Sequence, residues 1–285
     1  MQRLTEVDIR RFAADFRAHA GAAVNDVRVP HVVAAHILGH LIGAEWVLEN
    51  VFGKGDASAF LRSAPGSGDD RLRHQDRVLA LADVLFNLQD TPGAEARMQR
   101  VKREDVESLV AELEAAKLLI RAGHPVRFIE ERGTRGADYD IETTIGDLTV
   151  ACETKCKIEN TALSPGTITN VLKSARGQLP ASGGNIVFVK IPENWVRDPA
   201  IGPVVDDALT RSFRGTTRIS AVVFHWEEWL QNDTGQAARV TRSRVEHNRR
   251  AKTSLRVFDG FLKPVREASW QYIIRMLGEC GVTAL

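Results

Sequence analysis

Asp138, Asp140, Glu153 and Lys155 are the residues whose types and spacing most invite chemistry. They fall in two short stretches, Ala-Asp-Tyr-Asp-Ile over 137–141 and Glu-Thr-Lys over 153–155, on either side of Gly146-Asp147. Alternating residues flank that glycine, Asp138 to Ile145 and Leu148 to Thr154, which predicts a β-hairpin. Side chains along a strand alternate faces, so Asp138 shares a face with Asp140, and Glu153 with Lys155. A hairpin turning at 146–147 sets the start of its first strand beside the end of its second. One of the two aspartates then meets Glu153 and Lys155. Two carboxylates converging with a lysine form an oxygen-ligand site for Mg²⁺ or Mn²⁺, and the ammonium can hold a water or a phosphate oxygen. Glu112 is a third carboxylate that could face this end, from a helix predicted over Val106 to Ala122.

The elements around these residues follow from periodicity. The apolar positions Val106, Leu109, Val110, Leu113, Ala116, Leu119 and Ile120 keep helical spacing, and Gly123 stops the helix. Pro125 to Glu130 reads as a short strand, and a loop with two glycines, Arg132 to Gly136, leads into the hairpin. Thr167 to Leu179 reads as helix, and Asn185 to Ile191 is a continuous apolar run of the buried-strand type. The order is α-β-β-β-α-β. A helix over Val204 to Phe213, strands over Ile219 to His225 and Ala238 to Val245, and a closing helix from Arg266 to Leu277 complete this half. The first hundred residues read as helices. Thr5-Glu-Val-Asp8 has capping-box form before the run Ile9 to His19, and Pro30 is placed to start a long helix from His31 to Phe52. Ser63 to Asp70 is a polar, glycine-rich loop, helix returns from about Arg71 to Leu88, and Asp90 to Gly93 turns the chain.

These stretches resemble the PD-(D/E)xK nuclease superfamily, the restriction-endonuclease-like fold. The resemblance is carried by Glu112 in Glu-Leu-Glu-Ala-Ala-Lys-Leu-Leu, by Ala137-Asp138-Tyr139-Asp140-Ile141 and by Glu153-Thr154-Lys155. It extends to Gln178 in Ala175-Arg-Gly-Gln-Leu179, since many members carry a glutamine on the helix after the lysine strand. It covers residues 105–192 and none of the first hundred, and Ala137 stands where the family's proline usually does. The resemblance implies a mixed α/β fold, an αβββαβ core whose mixed sheet is flanked by helices, preceded by an all-helical region over 1–104. The nuclease-like domain would then run over 105–285, with its core at 105–192 and an extension at 193–285. It implies that Asp138 and Glu153 ligate Mg²⁺ or Mn²⁺ with the Thr154 carbonyl, and that Glu112 binds a metal directly or through water. Lys155 would orient the attacking water or stabilise developing charge, and Gln178 would position the phosphate. Asp138 is preferred over Asp140 because Tyr139 and Ile141 then alternate inward. The implied function is a metal-dependent nuclease, acting on DNA in preference to RNA. The alternative is a non-catalytic nucleic-acid-binding or assembly protein that uses a similar sheet as scaffold.

Composition bounds these readings. The chain has 285 residues, 44% apolar and 26% charged, ordinary values for a globular protein with a real core. Collagen-like, mucin-like and wholly disordered classes are excluded. Three cysteines make no disulfide framework, which suits a reducing cytoplasm, and the Cys152/Cys156 spacing lacks a second pair of zinc ligands. The first twenty residues carry too many charges for a signal peptide, and Val32 to Phe52 is too polar to span lipid. Net charge is +1, but residues 105–155 hold 6 basic and 11 acidic side chains and residues 156–285 hold 18 and 12. An acidic patch followed by a basic stretch suits a metal site beside a polyanion groove.

Within the basic stretch, Arg242, Arg244, Arg249, Arg250 and Lys252 are candidate phosphate contacts, with Arg242 and Arg244 on one strand face. The opposing reading is an edge strand protected by charge. His36 and His40 sit four apart on one helix face, but Ile37 holds the place of the zincin glutamate, which favours a packed or interface pair. Trp46, Trp226 and Trp229 read as core or interface residues. The glycine loop at 132–136 lacks the Gly-Lys-Ser/Thr ending of a phosphate-binding loop. The helical region offers a homodimer surface, a specificity module or a docking site for a protein partner, and no membrane partner is expected.

Overall fold

A computed structural model of the chain describes residues 3–21, 28–53, 60–61, 68–101, 106–130, 133–134, 136–231, 237–258, 260–263 and 270–278. The chain divides into two compact units: Met1–Leu113 with Glu267–Leu285, and Glu114–Arg266. The boundary therefore falls inside a helix, not at residue 104. The C-terminal segment belongs with the helical unit and not with the sheet, as an extension over 193–285 would require. Most of the glycine-rich loop at 63–70, two residues of the 132–136 loop and the start of the predicted closing helix lie outside the described residues.

The helical unit is built from α1 (Glu6–Ala20), α2 (Arg28–Leu41), α3 (Ala44–Asn50), α4 (Gly68–Leu88), α5 (Ala94–Arg100), the first half of α6 (Val106–Arg121) and the short C-terminal α10 (Ile273–Gly278). Thr5 and Asp8 form the capping box: each side chain accepts from the other's backbone N–H, at 3.3 and 3.0 Å. The long helix expected over His31 to Phe52 is two helices. Ile42 and Gly43 both donate to Leu38, and Gly43 takes φ 139°, a conformation side chains rarely adopt, so the chain turns there. Pro30 lies in the first turn of α2, where its missing N–H costs nothing. α2 packs on α1, α3, α4 and α10, and buries Val33, Ile37, Leu38 and Leu41. The Asp83 carboxylate accepts from the Ile273 N–H at 2.8 Å and ties down the start of α10. His36 stacks on Phe12 with ring centroids 3.7 Å apart, so the His36/His40 face is a packing face. Trp46 is buried, as expected of a core residue.

The sheet unit holds the second half of α6, β1 (Val126–Phe128), β2 (Ile141–Ile145), β3 (Leu148–Cys156), α7 (Pro165–Gln178), β4 (Gly184–Lys190), the short α8 (Glu193–Val196), α9 (Ile201–Arg214), β5 (Ala221–Gln231) and β6 (Ala237–His247). The strands lie in the order β1-β2-β3-β4-β5-β6. β1, β2 and β3 form an antiparallel meander, β3, β4 and β5 run parallel, and β6 returns antiparallel to β5. The class is mixed α/β, with helices flanking a mixed sheet. Gly146 makes the β2–β3 turn at φ 59°, and a Cβ there would stand 2.4 Å from the Phe258 ring, so both conformation and space demand glycine.

Both faces of the sheet are covered, which is why β4 reads as an unbroken apolar run. On one face Ala151, Val187, Val189, Val222 and Phe224 pack against Ile168, Leu172 and Ala175 of α7 and Val205, Ala208 and Leu209 of α9. Each fully buried aliphatic or phenyl side chain contributes about 1.5–3 kcal/mol relative to exposure. On the other face Cys152, Ile186, Phe188 and Val223 are buried, and Glu114 of α6 reaches Lys190 and His225 there. Trp226 packs half-buried against the α7–α9 core.

Candidate active site

The β2–β3 ladder ends at Ile141 paired with Cys152, and Asp140 comes just before it. The Asp140 N–H donates to the Cys152 carbonyl at 3.1 Å. Its carboxylate accepts from the Thr154 N–H at 2.7 Å, and the residue is only 7% exposed. In extended strand the N–H and C=O of one residue point to the same side. The Thr154 carbonyl therefore faces the same edge as its N–H, toward Asp140.

Lys155 closes the group. Its Nζ lies 2.6 Å from Glu153 Oε1 and donates to Gln178 Oε1 at 2.7 Å. Gln178, on the last turn of α7, in turn donates from Nε2 to the Asp138 carbonyl at 3.4 Å. Glu153 is 1% exposed, whereas the Lys155 side chain is 25% exposed. The carboxylates thus sit inside and the ammonium sits at the mouth, within reach of water.

The structure brings together Asp140, Glu153, Thr154, Lys155 and Gln178, and departs from expectation at two carboxylates. Asp138 precedes the ladder and its backbone carbonyl accepts from Gln178, whereas it is the Asp140 carboxylate that accepts from the Thr154 N–H. Glu112 is the second departure. Its carboxylate lies 2.9 Å from Arg97 and 3.8 Å from Arg100, and all three side chains belong to the helical unit. A metal-ligand role for Glu112 would have to compete with a buried guanidinium. Among the described residues, no group of three or more His, Cys, Asp or Glu side chains is placed to hold a metal ion. The site has two carboxylates and a carbonyl to offer. Cys152 and Cys156 are free thiols, and burial, then Asp140, pushes the Cys152 thiol far above its usual range.

Sequence reasoning missed a second ionic group, on the opposite face of the same sheet. Lys190, at the end of β4, lies 2.8 Å from the Glu114 carboxylate, and His225 Nδ1 lies 3.6 Å from the same carboxylate. Arg239 of β6 pairs with Glu227 of β5 alongside. Burial, more than Lys190, takes the His225 pKa down to about 3, so the ring is neutral. Burial opposes charge on Lys190, but Glu114 and Glu227 outweigh it and raise the lysine above its ordinary value. Burial raises Glu114 against the pull of Lys190. No sequence signal points here: Lys190 ends an apolar run and His225 ends another, as capping charges often do.

The basic candidates also divide. Arg242 pairs with Glu228 at 3.0 Å, and Arg244 with Asp206 at 2.8 Å and Glu246 at 2.6 Å. Arg242 and Arg244 share a face, as expected, but their charge is spent on neighbouring acids. Arg249, Arg250 and Lys252 are exposed beyond the end of β6 and pair with no carboxylate among the described residues. Among the described residues, no helix is long and apolar enough to cross a membrane. In comparisons with known proteins, no family model, no curated protein and no solved structure matches the chain.

Proposed function

We propose that the chain is a metal-dependent nuclease that hydrolyses phosphodiester bonds, of DNA in preference to RNA. The observation that carries this reading is Lys155. It lies between Glu153 and Gln178 at an open mouth, with the Asp140 carboxylate held next to it on the Thr154 N–H. In this reading α6-β1-β2-β3-α7-β4 is a restriction-endonuclease-like core, and the sheet serves to set four side chains at one edge.

The donor set fits a divalent cation of the Mg²⁺ or Mn²⁺ kind. Asp140 and Glu153 supply hard carboxylate oxygens, and the Thr154 carbonyl faces the same edge. Asp140, Glu153 and the Thr154 carbonyl would hold the ion. Bound there, it would polarise a phosphoryl oxygen and lower the pKa of its water. Asp140 is held for this task by the Thr154 N–H, which fixes its rotamer before substrate arrives. Lys155 orients the attacking water and offsets the charge that gathers on the phosphoryl oxygens as the water's P–O bond forms and the leaving P–O bond breaks. Gln178 fixes the lysine from one side through Oε1 and is itself anchored on the Asp138 carbonyl.

A cleavage panel tests the proposal: plasmid, linear duplex, single-stranded DNA and RNA, each with Mg²⁺, Mn²⁺ or EDTA. The expected result is cutting of DNA that needs the metal and disappears in Asp140→Asn. Cutting that survives EDTA, or that persists in Asp140→Asn, contradicts it.

A further inference from the structure

Six cations gather around the turn at 215–218, all within the sheet unit, and none is paired with an acid among the described residues. Arg176 ends α7, Arg214 ends α9, Arg218 closes the turn, and Arg249, Arg250 and Lys252 follow β6. Printed along the chain, residues 214–220 and 247–256 contain no Asp or Glu at all. The two acids that do approach, Asp206 and Glu246, are both bound by Arg244. Arg244 thereby engages both carboxylates that line the adjacent groove among the described residues, a hollow of about 410 Å³ between α9 and the residues after β6, whose cations are Arg214, Arg249 and Arg250.

The turn is held in place from every side. Arg176 donates to the Gly215 carbonyl at 3.0 Å, and the buried Asn248 donates to Thr216 at 3.0 Å and Ile219 at 2.8 Å. The Lys252 N–H donates to Thr217 at 3.0 Å, and Asn185 donates to Arg218 at 2.8 Å. Arg218 itself donates to the carbonyls of Arg176 and Leu179, which flank Gln178. A fixed run of cations therefore leads from the α7 end of the Lys155–Gln178 group, past the turn, to Arg249 and Arg250.

We propose that this run is a track for the phosphate backbone of nucleic acid, with Arg214, Arg249 and Arg250 as its far end. The inference rests on the nuclease reading for its direction, since it leads away from the lysine and glutamine of the proposed centre. Guanidinium forks without acids between them suit repeated phosphates, whereas a protein surface would meet mixed charge. The track replaces the expected face of Arg242 and Arg244, whose charges are compensated, with one that includes Arg176, Arg214 and Arg218.

Fluorescence anisotropy of a labelled DNA duplex, titrated in EDTA over a series of NaCl concentrations, tests this without cleavage. Wild type is compared with Arg249→Gln/Arg250→Gln, with Arg214→Gln and with Arg242→Gln. The double variant should bind roughly 10-fold more weakly and lose about two units of the slope of log Kd against log salt, one for each phosphate contact. Arg214→Gln should lose about one unit and Arg242→Gln none. Unchanged slopes in the first two, or an equal loss in Arg242→Gln, overturn the track. Displacement of the duplex by polyglutamate as effectively as by unlabelled DNA also overturns it, and assigns the patch to an acidic protein. Lys155→Ala run alongside separates the two ideas. Binding in EDTA by a wild type that still cuts no DNA when Mg²⁺ or Mn²⁺ is added sinks the nuclease reading and leaves the track, and metal-dependent cutting with salt-insensitive binding does the reverse.

Discussion

Two lysine–glutamate pairs stand at the ends of adjacent strands, Lys155–Glu153 on β3 at 2.6 Å and Lys190–Glu114 beside β4 at 2.8 Å. They are the same pair of groups at nearly the same separation, yet their surroundings differ in every respect that matters. Lys190 is the less exposed lysine, at 13% against 25% for Lys155, on the α6 face beside neutral His225 and the Arg239–Glu227 pair. Lys155 opens to solvent on the other face, with Asp140 and Gln178 converging on it. A sealed pair is compensated and inert, and losing one member strands a buried charge. An open pair beside a second acid is, in the proposed function, where a cation would be held. The difference lies in access and charge balance, not in the pair, and it separates stability from chemistry.

Breaking the open pair should produce the largest effect. Lys155→Ala is expected to lose roughly 10³-fold in turnover, the scale for removing a group aimed at developing charge. Its melting temperature should fall less than that of Lys190→Met, because solvent reaches the lysine's place beside Glu153. Glu153→Gln should lose comparable activity while its melting temperature holds or rises, since it relieves repulsion with Asp140. Paired rate and thermal-denaturation measurements check both.

The sealed pair should respond the other way. Glu114→Gln or Lys190→Met is expected to cost about 3–5 kcal/mol in urea unfolding, the usual penalty for leaving one buried charge alone. The double change Glu114→Leu/Lys190→Met should recover most of that loss, because no charge is then stranded. A double variant as unstable as the worse single one would sink the assignment.

His225 gives the sealed group a pH signature. The unfolded chain takes up this proton at pH 6.5, and the folded chain only near 3. The unfolded state therefore binds more protons between those values, and stability falls as the pH drops through that window. Raised Glu114 works in the opposite sense: the folded chain keeps a proton that the unfolded one has already released, so it gains stability as the pH falls toward the unfolded value of 4.5. His225→Leu removes the first effect and leaves the second, so its acid loss of melting temperature should flatten. Identical pH profiles in wild type and variant would contradict a buried neutral ring. The smallest effect belongs to Asp138→Asn, expected to stay within about 2-fold of wild-type activity because the backbone carbonyl that Gln178 reaches is unchanged.

Much of the open site was legible from residues alone. The period-two pattern and the Gly146-Asp147 turn give the hairpin, and the hairpin gives the meeting of an aspartate with Glu153 and Lys155. Gln178 came from the family resemblance and not from the residues. The choice of Asp140 was hidden because face depends on where the ladder starts, and a one-residue difference flips every side chain. Glu112 and Glu114 were indistinguishable for a related reason. Residues 111–116 of α6 are all buried, so no polar face marks a direction. Two positions along a helix differ by about 200°, which sends one carboxylate to Arg97 and the other to Lys190. The basic stretch was visible as composition, but only the fold shows that Arg242 and Arg244 are spent on Glu228, Asp206 and Glu246. The break between α2 and α3 was missed because the apolar run Val32 to Phe52 continues on both sides of Gly43.

The measurement that tests the contrast most directly is the metal-dependent cleavage rate of Lys155→Ala and Lys190→Met, purified side by side and normalised to the folded fraction of each. The account predicts that Lys155→Ala is inactive though stable, and that Lys190→Met is unstable but cuts at the wild-type rate per folded molecule. Full activity in Lys155→Ala, or loss of activity in folded Lys190→Met, would contradict it.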